Sequence, residues 1–207
     1  MMLTPIPSGE LAGALDRFAA QLADPSAEAA FALIRATPAA RALGDEAASH
    51  RRVALALARR YGIAIHPAGA KPGFNWDGDA LDGDSEAYVI LHEIAHFVLA
   101  PPERRCLVDF GLGPGPDTTD RAAAERAAVV PLAERDEDEA AASLLGILWE
   151  AALGQPALAS FLDQNWLEGL DRSAAAHFTT VLAGLRRLGL ADGGAAAAGA
   201  RLARRAG

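Results

Sequence analysis

The sequence predicts a mostly α-helical domain, or an α+β one with a small sheet, in which a buried central helix carries a metal site in zincin-like packing. Three observations support that expectation. Apolar residues recur at helical spacing in stretches separated by glycine and proline; only two short runs read as strands; and His92-Glu93-Ile94-Ala95-His96 lies inside an apolar run from Tyr88 to Ala100. With 207 residues, 51% of them hydrophobic, the chain has enough material for one well-buried domain but not two. That domain is expected over 1–190, with an N-terminal helical part (1–60), a metal-binding core (61–156) and C-terminal helices (157–190). Residues 191–207 form an Ala/Gly-rich tail expected to be flexible.

The first helix follows an N-cap at Ser8 and runs to about Asp24, because Leu11, Leu15, Phe18 and Leu22 share one face. Asp24-Pro25-Ser26 breaks the pattern, and Ser26 is the expected cap of a shorter helix bearing Phe31, Leu33 and Ile34 that ends before Pro38. A third helix spans about Asp45 to Tyr61 and stops at Gly62. Ile63-Ala64-Ile65-His66 alternates between Gly62 and Pro67 and reads as a short strand; 68–84 is rich in Gly, Pro and Asp and reads as loop. Ser85 then caps the helix of the His-Glu-x-x-His unit, which Pro101-Pro102 terminates. Leu107-Val108-Asp109-Phe110 reads as a second strand, followed by a Gly/Pro loop from Gly111 to Thr119. Two long helices close the domain, Glu134 to about Leu153 and Asp171 to Leu188, each ended by glycine, with a piece around Ala157 to Trp166 bridging them.

Composition excludes several classes of function. A formal net charge of −8 supplies no basic face for a nucleic-acid polyanion. Arg201, Arg204 and Arg205 are a local exception and read as a solvated tail. No apolar run approaches the ~20 residues that a membrane span needs. Cys106 is the single cysteine, and Met1 to Gly9 has no basic segment followed by an apolar core, so a reducing cytoplasm is the expected compartment.

Chemistry concentrates at residues 92–96. Residues four apart share a helical face, so His92 and His96 can present two imidazoles to one cation with Glu93 beside them. Burying two imidazoles and an ionisable glutamate in an apolar helix is costly unless a charge compensates them, and a metal ion does so. A third ligand must come from elsewhere. The acidic run Glu134 to Glu139 opens a helix whose apolar stripe begins at Leu144, and Glu139 stands where that helix turns from solvent toward the core. Glu139 is therefore placed first as third ligand, with Glu137 and Asp109 in reserve or as outer carboxylates, Asp109 being suited to hold a ligand histidine by its second ring nitrogen. Alternatively, Arg104 neutralises the C-terminus of the metal helix and Asp109 pairs with it. The acidic stretch Asp77 to Asp84 fails the calcium-loop pattern, because Leu81 occupies its fifth position and the following glycine is missing. His50 reads as exposed, His66 as a strand-end residue and His177 as a core residue.

Two reactions fit such a site. With zinc, Glu93 is the general base of a gluzincin-like metallopeptidase; with iron(II), two histidines and a carboxylate form a facial triad with positions left for dioxygen and substrate. A metal-stabilised binding or regulatory protein without turnover is a third reading. The stretch His92-Glu93-Ile94-x-His96, Ala100, Arg104-Arg105-x-Leu107-Val108-Asp109-Phe110-Gly111 and Pro116-Asp117 resembles the bacterial elongation factor P hydroxylase family. So does the acidic run Asp136 to Glu139 followed by Ala151-Ala152-Leu153-Gly154-Gln155-Pro156, and counting back from that proline lands on Glu139. The resemblance covers about Tyr88 to Pro156; residues 1–60 have no counterpart, and 113–130 lacks the family's aromatic residues. It implies an Fe(II)-dependent monooxygenase, with Zn(II) the alternative ion, hydroxylating a modified lysine on a protein substrate such as a translation elongation factor.

Overall fold

The computed structural model describes residues 8–167 and 173–191. Over these the chain is mostly helical: α1 (Ser8–Gln21), α2 (Pro25–Arg35), α3 (Gly44–Arg60), α4 (Ala87–Leu99), α5 (Arg121–Ala127), α6 (Leu132–Ala152), α7 (Ala157–Asp163) and α8 (Ala174–Arg187). The small sheet is a parallel pair, β1 (Ala64–Ile65) with β2 (Ala80–Leu81), in which Ala64 faces Ala80 and Ile65 faces Leu81. The expected tail, the side chain of Ser8 and the start of the last helix at Asp171 lie outside the described residues. Among the described residues no helix is long and apolar enough to cross a membrane.

Several boundaries differ from expectation for local reasons. Asp24, not Ser26, caps α2: its carboxylate accepts from the backbone N–H of Ser26 (2.8 Å) and Ala27 (3.0 Å), and Pro25 supplies the preset φ of a first helical residue. Glu86 rather than Ser85 precedes α4, while the Ser85 hydroxyl turns to the Asn75 side chain. Ala100 leaves the helical region before Pro101, as residues preceding proline do, and ends α4. Leu107 to Phe110 is no strand. Asp109 (φ 44°) and Phe110 (φ 53°), followed by Gly111 (φ 71°), are all left-handed, so the chain turns back sharply where sequence alternation suggested extension. The second strand instead forms inside the expected loop, because Asp77 Oδ1 accepts from the N–H groups of Asp79 and Ala80 and folds the turn that delivers buried Leu81 to β1. α5 was not expected; Asp120 caps it through Ala123.

α4 is the centre of the molecule and packs chiefly on α6 and α3. Ile90, Leu91, Ile94 and Ala95 are wholly buried. Gly146 of α6 lies against the α4 backbone, where an added Cβ would stand 3.3 Å from His92 Cα, so its lack of a side chain sets the close approach of the two helices. Glu139 is seven residues earlier, two turns along the same face, and is thereby brought beside the α4 histidines. Gly146→Val should push the helices apart and weaken metal uptake; metal titration of the purified variant, with circular dichroism confirming its helical content, checks this. A second core region joins Phe18, Phe31, Phe161 and Phe178 from α1, α2, α7 and α8, with ring centroids of Phe18 and its partners 4.7–5.7 Å apart.

Glu150, near the end of α6, is buried, and burial pushes its carboxyl up to about 7 against the opposing Ser160 hydrogen bond and Arg41 charge. The folded state therefore keeps this proton to higher pH than the unfolded chain. Its contribution to stability is full below the ordinary glutamate range and is lost as pH rises through about 7. Glu150→Gln should flatten this part of the stability profile, so that thermal melts of wild type and variant diverge between pH 5 and 8 in favour of the variant.

Candidate metal centre

α4 presents His92 and His96 one turn apart, and the first turns of α6 present Glu139 to them. The two Nε2 atoms are 3.0 Å apart, and each is 3.4 Å from Glu139 Oε2. The circle through three atoms at these separations has a radius of about 1.9 Å, close to the ~2.0–2.2 Å of Zn–N and Zn–O bonds, so the three could hold one ion. All three atoms are acceptors when the imidazoles carry their protons on Nδ1. Aimed at one point, they repel unless a cation or a shared proton lies between them. The donor set and its spacing thus fit a divalent ion.

The electrostatics express the same convergence. Burial works against ionisation of Glu139, yet hydrogen bonds from both histidines and their charge hold its carboxyl far below the usual range. Burial also opposes charge on both rings. At His92 the bond to Glu139 and the charges of Glu93 and Glu139 prevail and raise its pKa, whereas burial and the neighbouring His92 depress His96. Glu93 is buried, and desolvation with the charges of Asp109 and Glu139 pushes its carboxyl up to about 8, opposed by His92 and by a hydrogen bond to Asn75.

The metal-facing atoms open into a cleft of about 200 Å³ whose lining includes Asn75, Tyr88, Glu93, Asp109, Asp117 and Thr118. One wall is a column of rings: Phe110 stacks on His96 (5.4 Å, 23°) and Trp76 on Phe110 (5.3 Å, 4°). That column explains the left-handed turn at 109–110, which swings a fully buried ring under His96 and turns the Asp109 carboxylate into the cleft. Asp109 Oδ2 accepts from the Thr118 hydroxyl at 2.7 Å. Burial raises the Asp109 carboxyl despite that bond and one from the Gly115 N–H.

The residues singled out in the sequence fare differently. His92, His96 and Glu139 come together, and theirs is the only group of three or more potential ligand side chains among the described residues. Glu137 is exposed and stands outside that group. Asp109 lines the cleft but does not hold the His92 ring, whose Nδ1 has no partner. Arg104 pairs with Asp138 at 2.6 Å and not with Asp109, tying the segment after α4 to the first turns of α6. Arg105, not Arg104, serves the C-terminus of α4, its Nε donating to the Ala100 carbonyl at 2.9 Å. His66 bonds Asp77 at 2.6 Å and lies outside the metal cleft. His177 stacks on Trp166.

Sequence reasoning missed Asn75, Thr118, Tyr88 and the Trp76–Phe110 column. For Asn75, Trp76, Phe110 and Thr118 the one trace in the sequence is their position in Gly/Pro/Asp-rich loops flanking α4, where functional residues concentrate, whereas Tyr88 stands in the first turn of α4. No family model, curated protein or solved structure matches the chain.

Proposed function

We propose that His92, His96 and Glu139 hold one divalent ion and that the chain is a metal-dependent enzyme acting on a protein or peptide substrate. The observation that supports this reading is the convergence of two Nε2 atoms and a carboxylate oxygen, from two helices, at metal-ligand spacing. The favoured reaction is iron-dependent hydroxylation of a modified lysine, as in the elongation factor P hydroxylases that residues 88–156 resemble; a translation elongation factor is the corresponding partner. The lining supports it, because Asp109 and Asp117 share the cleft with Glu139 and favour a cationic side chain.

An ion held there supplies Lewis acidity, and iron(II) adds one-electron chemistry. The protein's own groups do the rest. Glu93 holds or moves a proton at its carboxyl, Asn75 fixes that carboxyl, and Phe110 and Trp76 shield His96 from water. A zinc peptidase is the second reading, favoured by Glu93 itself: a buried carboxyl next in sequence to His92 occupies a general base's position.

Elemental analysis of anaerobically purified protein separates the two. Stoichiometric iron and iron-dependent oxygen consumption with a lysine-modified protein support the hydroxylase. Stoichiometric zinc that iron cannot replace, with peptide cleavage, supports the peptidase. Metal removal that only unfolds the chain, without turnover under either ion, supports a structural or regulatory role.

A further inference from the structure

A cleft of about 220 Å³, separate from the metal centre, is lined by Arg41, by Ala47, Ala48 and Arg51 of α3 and by Glu86 and Tyr88 at the start of α4; Glu150 and Gln155 also line it. Tyr88 lines both clefts. Glu150 is a carboxylate whose side chain is 3% exposed, and its nearest cation, Arg41, stands 3.6 Å away, beyond hydrogen-bond distance. Arg41 is committed elsewhere. Its Nε and Nη2 donate to Asp163 Oδ2 (3.2 and 2.8 Å), its Nη1 donates to Ser160 Oγ (2.7 Å), and the guanidinium lies 3.6 Å over the Tyr88 ring. The Ser160 hydroxyl gives Glu150 one hydrogen bond.

Gln155, 1% exposed, points its Nε2 toward the His50 carbonyl at 3.5 Å, which fixes the amide orientation and leaves Oε1 without a partner. Gln155 Oε1, buried and unpartnered, and Glu150, a buried carboxyl that ionises above about pH 7 with Ser160 and the 3.6 Å contact of Arg41 as its partners, therefore belong to the same cleft. Native proteins rarely leave such groups unsatisfied. The ligand chemistry that satisfies both is a positive charge bearing several N–H bonds. A carboxylate would be repelled, and a neutral alcohol would leave the charge unbalanced. Glu86 adds charge of the same sign at the wall, while Arg51 is turned to the Asp84 carbonyl.

We propose that this cleft binds a primary ammonium group on a short aliphatic stem, with Glu150 taking the charge and Gln155 Oε1 taking an N–H. The site does not depend on the metal reading.

Titrating the full chain at pH 8, where Glu150 is ionised, with n-propylammonium chloride, followed by amide nitrogen–proton spectra, tests it, with propionate and n-propanol as comparators. Saturable shifts centred on Ala47, Tyr88 and Gln155 are expected for propylammonium, none for propionate, and a response at least about tenfold weaker for propanol. Glu150→Gln, which is isosteric, should weaken propylammonium binding by about tenfold or more. The proposal is overturned by an absence of saturable shifts, by shifts confined to the metal cleft, by an equal response to propanol, or by undiminished affinity in the variant. Should the variant fail to fold, the wild-type shift map and the comparators decide alone.

Discussion

Glu93→Gln should lower turnover by about 10²–10⁴-fold while leaving metal content unchanged. The substitution keeps the size and hydrogen-bonding capacity of a buried side chain but removes the group that gains or loses a proton. Burial and the charges of Asp109 and Glu139 hold that proton to about pH 8, so neutral glutamine mimics the protonated form and the fold should tolerate it. Turnover of whichever substrate class the metal analysis indicates, measured beside metal stoichiometry, reads both arms. Unchanged turnover with full metal would remove Glu93 from the chemistry. The reaction class then matters: a peptidase loses its base and falls to the bottom of that range, whereas a hydroxylase using Glu93 only to relay protons is affected less.

Glu139→Ala should weaken metal affinity by more than about 100-fold, beyond the 10–100-fold typical of outer residues, whereas Glu137→Ala should leave it nearly unchanged. Glu139 is half-exposed at the start of α6, so truncation opens no core cavity and loss of metal is not a by-product of unfolding. Competition titration against a chelator, with melting curves to verify the fold, ranks the two variants. The reverse ranking would move the third-ligand role to Glu137. Metal uptake should also be released as pH falls, because binding must displace the proton that Glu139 and Glu93 stabilise on His92.

Much of this protein is legible in its sequence because the determinants are local. Helical spacing of apolar residues, glycine and proline punctuation and the four-residue step from His92 to His96 are properties of neighbours along one chain, and among the described residues they placed every α-helix approximately except α5, which was not expected, and α7, which was read only as a bridging piece. Glu139 was also accessible, because a helix that passes from acidic to apolar must carry a carboxylate at its entry to the core. Errors arose where neighbours compete. Asp24 and Ser26 are both good caps, and only the carboxylate's reach to two N–H groups selects Asp24. Leu107 to Phe110 has strand composition, yet packing of Phe110 between His96 and Trp76 outweighs the cost of two left-handed residues.

The sequence by itself determined a helical domain, the histidine pair on one face of one helix and a carboxylate able to join it, since each follows from periodicity within an element. Only the tertiary structure decided which carboxylate meets the histidines, that Asp109 turns to Thr118 rather than to the His92 ring, and that Arg104 clamps Asp138. Those outcomes depend on how closely α6 approaches α4 across Gly146 and on where loops 75–85 and 107–118 cross the cleft. Such distances are set by packing between residues far apart in the chain, on which the spacing of letters within any one element carries no information.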